Sequence, residues 1–115
     1  MSVTAAQGFR AAGVRAGLKA SGRPDLALVV NDGPLDTAAG VFTTNRVVAA
    51  PVVWSRQLLA GEEGGQPGRA RAVVLNSGSA NACTGTQGMH DTEATAARTA
   101  GLLGAEPGQV LVCST

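Results

Sequence analysis

The chain has 115 residues, 44% hydrophobic and 15% charged, with a formal net charge of +1. That length and apolar content suit one domain or part of one and exclude a disordered tail. The nine Lys and Arg residues are scattered from Arg10 to Arg98, and two Phe and one Trp are the only aromatic rings. Neither a basic stripe nor a stacking platform forms, so no nucleic-acid partner is expected.

The opening, MSVTAAQGFRAAG, has no long apolar stretch of the signal-peptide kind. Gly8 to Lys19 contains Gly8, Gly13 and Gly17. Each costs a helix up to about 1 kcal/mol relative to Ala, so the segment is expected to be extended or bent, at an edge. Ser21 to Asp25 (SGRPD) has turn chemistry. Leu26 to Val30 reads as a short strand, ended by NDGP at Asn31 to Pro34. Ala38 to Thr44 and Val47 to Trp54 read as a second and a third strand. Pro51 lacks the N–H of a central ladder, which places the latter at an edge or gives it a bulge. Ser55 to Gly61 is expected to form one or two helical turns capped by Ser55. The longest apolar run, Val47 to Val53, is too short to span a bilayer. A cytoplasmic protein without a membrane partner is expected.

Glu62 to Gly68 (EEGGQPG) is a solvent loop, and Ala72 to Leu75 is a buried strand. Thr92 to Leu103 is the strongest helix, with Asp91 or Thr92 as its cap, Glu93 in its first turn, and Gly104 and Pro107 beyond its end. Ala94, Ala97 and Ala100 form a small-residue stripe for close packing. Val110 to Ser114 is the last strand. The order predicts an α/β layered fold, a sheet covered by helices, with Ala72 to Leu75 and Val110 to Ser114 at its centre.

Between the buried strand and the helix lies NSGSANACTGTQG, Asn76 to Gly88. It offers backbone N–H groups, hydroxyls and amides without net charge, and Gly78, Gly85 and Gly88 allow positive φ and close approach. Asn76, Ser77, Gly78, Asn81, Thr84 and Gly85 are its candidate active-site residues. An ordinary connection rich in turn residues is the competing reading. A phosphate cradle is disfavoured, because neither GxGxxG nor a GK[ST] ending is present. VLVCST, Val110 to Thr115, brings hydroxyls to a strand end, where α/β active sites commonly lie. His90, the sole histidine, has no evident orienting partner for a triad and reads as a surface or capping residue. Cys83 and Cys113 belong to no CxxC pair, so buried reduced thiols without metal are expected. Trp54 reads as a core or interface anchor, and Asp32 and Asp36 as solvated turn carboxylates.

Four blocks, in order, resemble the bifunctional ornithine acetyltransferase family. They are GFRAAGVRAGLK (Gly8 to Lys19), AAGVFTTNRVVAAPV (Ala38 to Val52), NSGSANACTGTQG followed by DTEATA, and VLVCST. Ser79 departs from the Asn that many members carry. The resemblance implies a partial α/β domain, with residues 1–115 as the N-terminal part of the family's α chain, ending before its nucleophile. It implies self-cleavage between Ala and Thr, with the new N-terminal Thr of the β chain as the acyl-accepting nucleophile. Acetyl would pass from N-acetylornithine to glutamate in arginine biosynthesis, with acetyl-CoA as a further donor in some members. No metal or organic cofactor is implied, and an α2β2 assembly is. Thr115 is implied as half of a Thr-Gly oxyanion pair, whose hydroxyl and N–H stabilise charge on the former carbonyl oxygen. The fragment by itself is expected to be inactive. A stand-alone small-ligand binding module without catalysis is the alternative.

Overall fold

The computed structural model describes residues 2–115, which form a four-stranded mixed sheet with two helices. The glycine-rich opening is extended: β1, Phe9–Val14, runs exposed along one sheet edge. It pairs antiparallel with β2, Leu26–Asn31, and β2 pairs antiparallel with β3, Ala72–Asn76. β3 is parallel to β4, Val110–Ser114. The crossover that a parallel pair requires is supplied by α2, Gly85–Leu103. α1, Ala50–Ala60, precedes β3 in the chain and packs against β4 and α2.

Strand alternation sends Val30, Ala72, Val74, Val110 and Val112 to one face. There they meet Trp54, Leu58, Ala96 and Ala100 in a single core. The sheet order makes β4 an edge strand, not the central one expected from its apolar run. Val110 and Val112 are nevertheless buried, because α1 covers them.

Several further expectations are corrected. Val47 to Trp54 forms no strand; α1 starts at Ala50 instead. Pro51 lies in its first turn, where the missing N–H has no helical partner to lose and the ring already sets the required φ. Ser55 is a buried residue in mid-helix rather than a cap, and left-handed Gly61 closes the helix. Ala38 to Thr44 is likewise not a strand. An isolated bridge from Thr37 to Arg69 marks its approach to the fold, and Val41 is fully exposed. Its β-branched residues lack the partner that gives β-propensity its meaning.

Another concerns α2, which begins at Gly85 rather than Thr92, with Thr84 in the cap position in place of Asp91 or Thr92. Its buried row is Gly88, Thr92, Ala96 and Ala100, while Ala94 and Ala97 are exposed. Small residues occupy both an i+3 and an i+4 row, and packing on α1 and β4 selects the latter. Gly88 is therefore helical rather than a positive-φ turn residue, unlike Gly78 and Gly85.

Candidate functional site

The polar loop between β3 and α2 returns over the C-terminal ends of β3 and β4. Thr115 donates its N–H to the Asn76 carbonyl at 3.1 Å. Its own carbonyl accepts the N–H groups of Gly78 at 2.8 Å and Ser79 at 3.1 Å. The strand end and the loop are thus joined by main-chain bonds. Beside them, the Ser114 hydroxyl donates to Asn76 Oδ1 at 2.5 Å, and Asn76 Nδ2 donates to the Ser79 carbonyl at 3.0 Å.

The far half of the loop is tied to α2. Asn81 Nδ2 donates to the Gly88 carbonyl at 2.7 Å and to Thr92 Oγ1 at 3.0 Å, and Asn81 Oδ1 accepts the Thr84 hydroxyl. A β-carbon at position 88 would collide with the side chains of Asn81 and Thr84, so the first turn of α2 requires glycine there. This network explains the early helix start: Asn81, seated on the buried Thr92, holds the turn that opens α2.

Between the two halves lies a cleft of about 370 Å³, lined by Asn76, Ser79, Ala80, Asn81, Thr84, Val112 and Ser114. Of the loop candidates, Asn76, Asn81 and Thr84 line it, whereas Ser77, Gly78 and Gly85 do not. Ser77 instead donates its N–H to the Asp25 carbonyl at 2.8 Å, and Gly85 takes a φ of +61 at the start of α2. Thr115 is exposed next to the lining residue Ser114. Sequence reasoning missed Leu18, Asp91, Thr92 and Thr95, which complete the lining. The three from α2 sit within one turn and share a face by i, i+3 and i+4 spacing, a signal available in the sequence. Leu18 comes from the β1–β2 connection, and nothing local announces it.

That connection is anchored by Asp25, only 3% exposed. Its carboxylate accepts the N–H of Ala16 at 2.6 Å and of Lys19 at 2.8 Å. These two main-chain donors, Ala16 first, outweigh desolvation and hold the carboxyl below its ordinary pKa. Asp32 and Asp36 are not free solvated carboxylates. Asp32 pairs with Arg10 and Arg71, and Asp36 pairs with Arg69. The Arg10 hydrogen bond lowers the Asp32 pKa, and the Arg69 hydrogen bond that of Asp36. Cys83 and Cys113 form no disulfide with each other, and both are exposed rather than buried as expected. His90 is exposed on α2, away from the cleft lining. No helix among the described residues is long and apolar enough to cross a membrane.

Fold and cleft together define a layered α/β domain with a hydroxyl- and amide-lined cleft at the C-terminal ends of adjacent parallel strands. The ArgJ family pattern matches residues 10–115, and the chain belongs to that family. It is 63% identical over its whole length to the arginine biosynthesis bifunctional protein ArgJ of Streptomyces coelicolor, and 61% identical to that of Bifidobacterium longum. It spans 28% of the length of each, corresponding to their N-terminal part. The crystal structure of a Mycobacterium tuberculosis ornithine acetyltransferase, complexed with ornithine, matches 98% of this chain with a TM-score of 0.92 at 57% identity. The chain covers 58% of that structure. A Bacillus halodurans arginine biosynthesis bifunctional protein matches all of it with a TM-score of 0.89 at 38% identity, and 56% of that structure is covered.

Proposed function

We propose that residues 1–115 form an incomplete domain, the N-terminal part of the α chain of a cytoplasmic acetyltransferase that moves acetyl from N-acetylornithine to glutamate. Acetyl-CoA is an additional donor in this scheme, and the pathway is arginine biosynthesis. The nucleophile is a Thr freed at the start of a β chain by self-cleavage, and α and β chains assemble as α2β2. The Thr hydroxyl attacks the acetyl carbonyl, ornithine leaves, and the amino group of glutamate then attacks the acyl-Thr ester. Each step passes through a tetrahedral intermediate with negative charge on the former carbonyl oxygen. This chain supplies a donor for that charge, the Thr115 hydroxyl.

Beyond family membership, the supporting observation is the rigid seating of Thr115. Both of its main-chain polar groups are engaged, by Asn76 on one side and by Gly78 and Ser79 on the other. These bonds fix the backbone from which the hydroxyl reaches, so stabilising the oxyanion requires a side-chain rotation at most and no movement of the strand end. The test is the full-length Thr115→Ala protein, checked for fold by circular dichroism and assayed for acetyl transfer from N-acetylornithine to glutamate. Turnover is expected to fall on the order of 10²–10³-fold, the scale for one oxyanion donor. The loss falls on the chemical step, because the charge exists mainly in the transition state. Wild-type turnover in a folded variant removes Thr115 from the mechanism. The isolated 115-residue chain is expected to be inactive, and measurable turnover by it overturns the assignment of the nucleophile to a β chain.

A further inference from the structure

We infer that Asp25, outside the cleft lining, is a positioning residue for the Thr115 strand end, acting through the Ala16–Lys19 turn and Gly78; this rests on the role proposed for Thr115. Asp25 is the first buried residue after the β1–β2 connection, and it bonds in three directions. Its carboxylate gathers the N–H groups of Ala16 and Lys19, which fixes the turn that carries Leu18 into the cleft wall. Its N–H donates to the Val14 carbonyl at 3.0 Å, closing the base of that turn on β1. Its carbonyl accepts the Ser77 N–H at 2.8 Å, at the point where the polar loop leaves β3. One residue therefore holds the wall of the cleft and the root of its loop.

The mechanical link to Thr115 is Gly78. It adopts φ +102 and lies so close under the turn that an added β-carbon would sit 2.7 Å from Lys19 Cγ and 3.5 Å from the Leu18 carbonyl carbon. The Gly78 N–H donates to the Thr115 carbonyl. A shift of the turn thus reaches Gly78 by contact and Thr115 by a hydrogen bond. Gly78 itself is exposed, so the coupling runs through this contact and the Gly78–Thr115 hydrogen bond rather than through a packed interior. The carboxylate anchors the turn because a turn has no ladder of its own for its N–H groups; without it the part-buried Ala16 and Lys19 N–H groups turn to water and the turn loses its tie to β2.

The experiment uses full-length Asp25→Asn and Asp25→Ala proteins, with Gly78→Ala displacing the same contact from the other side and Thr115→Ala as reference. Asn keeps one acceptor oxygen and Ala none, so the loss should be graded. Turnover is expected to fall on the order of tenfold to a hundredfold, the scale for an ångström-sized misplacement near the reacting atoms, with KM little changed. Amide hydrogen exchange should accelerate at Gly78 and Ser79, whose bonds hold Thr115, and stay unchanged at Val74 and Val112 in the core. If Asp25→Ala does not fold, Asp25→Asn and Gly78→Ala carry the same readings. Uniform acceleration across β3 and β4 overturns the inference in favour of a general stabilising role, and so does unchanged turnover in folded variants. A slowed Thr115→Ala beside an unaffected Asp25→Asn sinks this inference alone. Full turnover in Thr115→Ala sinks the oxyanion role itself, whatever Asp25 does.

Discussion

The two ends of β4 are held by different means. At its start, α1 reaches over with side chains. Trp54 Nε1 donates to the Val110 carbonyl at 3.0 Å, and the Ser55 hydroxyl donates to the Val112 carbonyl at 3.0 Å while accepting the Val112 N–H at 3.1 Å. Trp54 and Ser55 thereby satisfy main-chain groups of an edge strand from within a buried interface. At its other end, Ser114 and Thr115 are held by a polar loop beside an open cleft, through main-chain bonds to Asn76, Gly78 and Ser79. The buried end secures the fold, and the open end leaves the Ser114 hydroxyl bonded to Asn76 and Thr115 exposed beside the cleft. The contrast teaches that the two halves of one strand can draw on separate partners, a buried helix and an open polar loop.

That separation can be broken by mutation, and the largest effect is expected at the buried end. Trp54→Ala leaves a cavity and an unpaired Val110 carbonyl, and should cost about 3–5 kcal/mol of stability, measured by chemical denaturation. Next is Thr115→Ala at the open end, whose turnover loss corresponds to about 2.7–4 kcal/mol in the barrier with little change in denaturation midpoint. If Thr115→Ala instead unfolds the protein, the two ends are not separable. Ser55→Ala sharpens the comparison, because it removes one hydroxyl and strands both polar groups of Val112. A loss of about 1–3 kcal/mol is expected, with turnover per folded molecule preserved.

The smallest expected effect is set by pH. Folding lowers the Asp25 pKa, so its contribution is complete above the ordinary carboxylate value and disappears as pH falls through the lower folded value. Asp32 and Asp36 titrate in the same direction, so the informative quantity is the difference between wild type and Asp25→Asn. The stability difference between the two should be full and constant above the ordinary carboxylate range and shrink as pH falls below it. Parallel curves throughout would show that the Asp25 carboxylate carries no such linkage.

Legibility followed the reach of the interactions. β2, β3 and β4 were visible because compact apolar runs bounded by turn residues suit strands, and the alternation needed for burial is local. The end of α2 was visible in Gly104, which adopts the left-handed conformation that glycine favours. Its start was hidden because the bonds that open it come from Asn81, whose side chain reaches across the loop to Gly88 and Thr92. At the site, the polar loop and the β4 end could be named from their composition. Leu18 and Asp25 could not, since their importance comes from contact with residues far along the chain.

The sequence by itself determined the layered α/β class, the loop that borders the cleft and the family to which the chain belongs, because apolar periodicity, turn chemistry and motif order are written locally. Tertiary structure decided that Ala50 to Ala60 is a helix, that β4 lies at an edge, and which row of α2 is buried. Short apolar segments such as Val47 to Trp54 are compatible with either strand or helix, and the choice falls to whatever surface they can cover. Here that surface was the outer side of β4, with carbonyls waiting at Val110 and Val112 for the side chains of Trp54 and Ser55.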